Sequence, residues 1–547
     1  MGCSHIIAGA RFPDPDAVNQ EWITHVAQGT HTLDRGRTSQ GRIPRRAFVL
    51  LLVIAAITLG GAYYLASAVR SPAASAPTAA QLHAPKSRAT VVHGTPAALS
   101  AEVAGRLFTS DPVVILASPA ASASLAIAAH DAQEQSAPLL LSTGATAAVS
   151  PAVRHEITRL RASYVLAVGL SAHALAAQLP GITVVSSTSA LPVTTVPAPL
   201  RSVVLLVHEG KAGSAPAPAS VAAAATGHAA GVQVITMRGY DPRASSATIT
   251  TLAASRPQHV IAVGAGFGTA SSLAAKVTVA ETGVQLPGGG QVLFPSHRLV
   301  AMYGSPGTPA LGALGEQGLT ASIARIRRLA QPYRTLGRAH VIPAFEILAT
   351  VAQGSAGRNG LYSYESSVAS LRPWVQRAVR DGLYVILDLQ PGRANLLTQA
   401  KLYAPLLRQP DVGLALDPEW KLQPGQLPLQ QIGSVNISEV NSVVTWLAAL
   451  TARYHLPQKL LVIHQFRLAS IQDESKLDTR HQDLAIVIHM DGQGSPAAKI
   501  QTWDAVTDVA PRGVYFGWKN FFVKDHPMMD PEETMDRRPQ PVMISYQ

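Results

Sequence analysis

Three hydrophobic patterns divide the chain. Residues 47–69 (AFVLLLVIAAITLGGAYYLASAV) form one uncharged apolar run, long enough at 1.5 Å per residue to span a hydrocarbon core of roughly 30 Å. From 88 to 290, short apolar runs alternate with Ala-rich stretches of helical spacing. From 298 to 547, eight near-continuous apolar runs recur, the pattern of strands buried on both faces. The predicted fold class is therefore α/β: an N-terminal transmembrane helix, an Ala-rich parallel α/β region that is duplicated, and a C-terminal (β/α)8 barrel.

The barrel strands are expected at Arg298–Gly304, His340–Ile347, Leu383–Gln390, Val412–Glu419, Lys459–Phe466, Leu484–Asp491, Gly513–Asn520 and Pro541–Tyr546. Three- and four-residue apolar spacing predicts helices over Leu311–Tyr333, Val368–Asp381, Leu396–Arg408 and Ile437–Tyr454. In the middle region, Val113–Ala117, Pro138–Leu141 and Tyr164–Gly169 are followed, about 90–95 residues later, by Val203–Val207 and His259–Gly264. Gly264-Ala-Gly266-Phe-Gly268 is not a dinucleotide fingerprint: Thr269 breaks the spacing and no acid ends a later strand.

Arg35, Arg37, Arg42, Arg45 and Arg46 precede the apolar run without an acid among them. This predicts a basic cytoplasmic tail (1–46), a single-pass anchor (47–69), an Ala/Ser/Pro linker (70–87) and an extracytoplasmic remainder. The alternative is export with signal cleavage, from a twin-arginine-like Arg45-Arg46 and an Ala74-Ser75-Ala76 cleavage site. The sole cysteine, Cys3, excludes a disulfide framework. The net charge of +11 comes from scattered Lys and Arg, so nucleic acid is not an expected partner; the cell membrane and an anionic cell-wall polymer or glycan are.

Ile115-Leu-Ala-Ser118, Ala137-Pro-Leu-Leu-Leu141-Ser-Thr143 and Val149-Ser-Pro151, leading to Val165-Leu-Ala-Val-Gly169, resemble the cell wall-binding repeat type 2. The resemblance implies docking of residues 88–290 to wall polymer.

Barrels of this kind carry chemistry at the C-terminal ends of their strands. Those ends hold Tyr303, Glu346, Asp388 with Gln390, Asp417 with Glu419, His464 with Gln465, His489 with Asp491, and Lys519. Converging carboxylates can divide into one neutral acid and one ionised group, as glycoside hydrolysis requires. Glu419, Asp417 and Asp388 are the catalytic candidates. Glu346, Gln390, Gln465, Asp491, Lys519, Tyr303, Trp420 and Trp518 are the binding candidates, the aromatics as sugar platforms. No cofactor or metal is expected, although His464 and His489 beside acids are a possible metal pair. Leu414-Ala-Leu-Asp417-Pro-Glu419 is similar to the D-x-E of barrel-type lysozymes and chitinase-like hydrolases, which implies that Glu419 is the general acid and Asp417 its orienting partner. The combined order resembles exported actinobacterial-type proteins with a glycosidase-like barrel. A non-catalytic surface scaffold is the rival expectation.

Overall fold

Short Val/Ile/Leu runs become parallel strands in both halves of the chain. The computed structural model describes residues 78–144, 148–210 and 213–547. In the first half the strands are β1 (Ala89–Val92), β2 (Val113–Ala117), β3 (Leu139–Leu141), β4 (Tyr164–Val168), β5 (Thr183–Val185), β6 (Val203–His208), β7 (Gln233–Met237) and β8 (His259–Val263). They form two four-stranded parallel sheets, ordered β3-β2-β4-β5 and β7-β6-β8-β1. The order repeats, and β1 occupies in the second sheet the edge that β5 occupies in the first. The start of the region is thereby tied to its end.

Helices Pro96–Leu107 and Pro218–Ala229 bring the sheets together, and Val92, Leu107, Val114, Val165, Leu205 and Ile261 share one core. The same helices cover the β3 edge. Ser100 Oγ accepts from the Leu141 N–H (3.0 Å) and Thr226 Oγ1 from the Leu139 N–H (3.0 Å), so backbone donors that an open edge would leave unpaired are satisfied. Ser150 caps helix Pro151–Arg159 by accepting from the Val153 N–H, with Pro at the first turn.

The second half is a closed eight-stranded parallel barrel: β9 (His297–Gly304), β10 (His340–Ala352), β11 (Tyr384–Leu389), β12 (Val412–Leu416), β13 (Lys459–Gln465), β14 (Leu484–Met490), β15 (Tyr515–Asn520) and β16 (Met543–Tyr546). β9 pairs with both β10 and β16, which closes the ring. Leu299, Ala301, Ile342, Ala344, Ile386, Ala415, Leu460, Val462, Val487 and Met543 fill the interior, floored by Leu286, Leu293 and Phe294. The alternate residues, such as Val300, Phe345, Val385, Leu414, Ile463 and Ile488, pack outward under the helices.

Several expectations are corrected here. The transmembrane helix is not upheld: no helix among the described residues is long and apolar enough to cross a membrane, and residues 47–69 lie outside the described residues, as does the 1–46 tail. The described end of the linker is not a bare spacer, because Gln81–Leu82 pairs antiparallel with Phe108–Ser110. β12 stops at Leu416 rather than Glu419, because Pro418 has no N–H to give the ladder and opens a 3-10 turn over Pro418–Trp420. β10 runs on to Ala352, where it turns into an antiparallel pairing with Ser363–Glu365. Leu396–Arg408 divides at Tyr403 into two short helices. The β13–β14 connection, for which no helix was predicted, is built from 3-10 turns.

Candidate active site

Strand parity decides which side chains meet. Each strand, or for β12 the residue just past it, contributes one polar residue to the layer above the apolar interior: Tyr303, Glu346, Asp388, Asp417, His464, His489, Lys519 and Ser545. All are buried. At their centre, His464 Nε2 donates to Glu346 Oε1 (3.0 Å) and lies 3.8 Å from both Asp388 Oδ2 and Asp417 Oδ1. Its Nδ1 is 3.4 Å from Asp491 Oδ2. The His489 ring lies 5.0 Å from that of His464, and its Nε2 pairs with Ser545 Oγ at 3.1 Å. Gly517 makes room for it, since a Cβ there would stand 2.8 Å from His489 Cδ2.

The fifth acid, Glu419, enters from the turn that Pro418 creates rather than from a strand; the residue as a whole is half-buried, but its Oε2 is enclosed. Glu419 and Asp491 are the acids that line a cavity of about 530 Å³ above the polar layer. Tyr303, Trp420, Phe466 and Phe521 supply aromatic walls, and Gln390, Gln430, Gln431, Gln493 and Gln547 supply amides. Gln390 Nε2 donates to the Tyr303 hydroxyl (3.2 Å), and Lys519 Nζ lies 3.6 Å from the Tyr303 ring centroid. Asp388 is fully buried, with neither carboxyl oxygen hydrogen-bonded. Arg393, five residues on, donates to the Gln426 carbonyl and stacks on Tyr362. Among the described residues, none of the five acids forms an ion pair with an arginine.

The environment separates their charge states. Burial, reinforced by Asp491 and Asp417, pushes the Glu419 carboxyl well above the usual carboxylate range. Burial and Asp417 do the same to Asp388. Burial also raises Asp417, though His464 and Lys519 resist it. Asp491 goes the other way: burial opposes its charge, yet the contact with His464 and the field of Lys519 hold it below the ordinary value. Burial disfavours charge on His464 too, but Asp417, Asp491 and Glu346 outweigh it and raise it well above an ordinary histidine. Burial and the neighbouring His464 push His489 far down, so it is neutral. One cavity therefore presents a carboxyl biased toward its neutral form, Glu419, and a carboxyl biased toward its ionised form, Asp491, beside His464.

The predicted site residues thus fall into three groups. Glu419, Asp491, Gln390, Trp420, Lys519 and Tyr303 line the cavity. Glu346, Asp388 and Asp417 lie beneath it around His464. Gln465 and Trp518 point the other way, because each directly adjoins an inward residue on its strand. Gln465 Nε2 donates to Glu474 (2.7 Å), and Trp518 packs with Trp503 and Met529, so neither faces a ligand there. The expectation that both bind substrate is corrected on that ground. Sequence reasoning missed Phe466, Phe521, Lys524 and the loop 429–432, whose local pattern is that of ordinary loop residues. It also undervalued His464, whose central position follows from parity alone. The donor atoms of Glu346, Asp388 and His464 lie within 4.8 Å of one another, as do those of Asp417, His464 and Asp491, spacings that a metal ion can bridge.

Comparison with protein-family models, with curated proteins and with solved structures gave no match to this chain. What fold and site define is a TIM-like barrel with an acidic, aromatic-walled cavity at the C-terminal mouth. No family model supports the wall-repeat or glycosidase resemblance.

Proposed function

We propose that the barrel binds an envelope glycan and cleaves it by carboxylate acid/base chemistry, in a protein exported from the cytoplasm whose α/β region docks on wall polymer. Glu419 acts as general acid toward the glycosidic oxygen. Asp491 acts as the opposing carboxylate, either activating water or attacking the sugar directly. Asp417, Asp388 and Glu346 position His464, which keeps Asp491 ionised. The aromatic walls offer flat apolar faces to sugar rings, and the glutamine amides match hydroxyl groups.

The observation that carries this reading is that Glu419 and Asp491 open into one cavity while only Asp491 touches a cationic side chain. The test is release of reducing ends from purified wall glycans by the wild type, Glu419→Gln and Asp491→Asn. Each substitution is expected to lower turnover by about 10²–10⁴-fold, with the melting temperature unchanged in Glu419→Gln. Turnover that survives in Glu419→Gln removes the assignment. Binding by the wild type without any release favours the scaffold.

A further inference from the structure

A second cavity, of about 220 Å³, adjoins the first at the barrel rim. Phe466 lines both. Next to it, Gly492 lines the first cavity and Thr502 the second, and a Cβ on Gly492 would stand 3.2 Å from Thr502 Cγ2. The partition between the cavities is therefore one aromatic ring and a glycine.

Cations mark the same track. Lys519 and Lys524 line the first cavity and Arg467 the second. None of the three charged groups has an ion-pair or hydrogen-bond partner among the described residues. Elsewhere in the barrel, Lys421 pairs with Glu439 (2.9 Å), Arg480 with Asp478 (2.8 Å) and Lys499 with Asp525. Lys519 is 3 % exposed, with its ammonium over the Tyr303 ring, and Asp388, Asp417 and Asp491 share its field. Lys524 and Arg467 stand exposed on the rim.

We propose that the substrate is an extended acidic glycan lying across both cavities, with Phe466 as the shared platform and Lys524, Lys519 and Arg467 facing its acidic groups. This rests on the glycan reading and specifies its substrate class. An uncharged monosaccharide would fill one cavity and leave the cations unused, whereas an acidic polymer uses the ring by stacking and the cations by charge-assisted hydrogen bonds.

The experiment is calorimetric titration of the Glu419→Gln protein, which binds without cleaving, with a length series of oligouronates and the same series after carboxyl reduction. Affinity for the acidic series is expected to rise with length until both cavities are filled, and to exceed that for the reduced series by about tenfold or more. Lys524→Gln and Arg467→Gln, both at exposed positions, should bring the acidic series down to the neutral one. Phe466→Ala should abolish the gain with length. Equal affinity for the two series, or no dependence on length, overturns the proposal while the glycan reading stands. Failure of both series to bind rejects the glycan reading together with it.

Discussion

Asp525 should hold two walls of the cavity at once. Its Oδ1 accepts from the Gly494 N–H (3.0 Å), and its Oδ2 accepts from the Phe521 N–H (2.9 Å) and from the Lys499 ammonium. Lys499 also donates to the Lys519 carbonyl (2.6 Å) and lies over the Trp518 ring. Both partners of the ion pair are almost fully buried. Asp525→Ala strands an ammonium in the interior and leaves two backbone donors unpaired. Breaking a buried pair from one side costs about 3–5 kcal/mol, and orphaned donors add to that. Lys499→Met in the same background removes the stranded charge, so the double variant should recover at least about 2 kcal/mol relative to the sum of the single losses. Urea denaturation followed by tryptophan fluorescence reports chiefly on the barrel, which holds five of the six tryptophans, at 374, 420, 446, 503 and 518. Gln493 and Phe521 flank the anchored N–H groups, so substrate affinity should fall further than the rate of the bound complex. A loss under about 1 kcal/mol for Asp525→Ala, or additivity in the double variant, refutes the reasoning.

Two further predictions concern the frame. Burial raises the Asp111 carboxyl to about 8, although its Oδ1 accepts from the Val113 N–H (2.9 Å). A folded pKa above the unfolded one means that stability is full below about pH 4 and declines as pH rises toward 8. Asp111→Asn, which keeps the acceptor, should abolish that decline and gain on the order of 3–4 kcal/mol at pH 7, read by hydrogen exchange of β2 at several pH values. No change in the pH slope counts against it. The Tyr333 and Tyr546 hydroxyls meet at 2.6 Å beneath the barrel's closing strand. Tyr333→Phe should cost about 1–2 kcal/mol of barrel stability by denaturation, and a neutral outcome would show that this contact does not help hold β16.

Much of the barrel was legible because its signal is local. Runs such as Leu460–Ile463 and Leu484–Ile488 are apolar at every position, as strands covered on both faces must be, and all eight predicted segments contain a barrel strand, though with shifted ends. Period-two alternation then places Asp388, Asp417 and Lys519 inward without further information. The errors came where another force overrides the run. Pro418 ends β12 early and moves Glu419 onto a turn, and this alone separates Glu419 from the buried acids. Gln465 and Trp518 were misjudged by treating every polar or aromatic residue near a strand end as facing the mouth, although each adjoins an inward one. The placement of β1 in the second sheet, and the reach of Leu429, Phe521 and Gln547 into the cavity, depend on contacts distant in sequence and leave no trace in local pattern.

The central claim is that Glu419 donates a proton to the departing oxygen. It is tested most directly by comparing the wild type and Glu419→Gln on a series of aryl glycosides whose leaving groups differ in pKa. Once a sugar series that turns over is found, the loss on substitution should be large for poor leaving groups and shrink toward none for phenols that leave without protonation. A loss of equal size across the whole series would contradict the account.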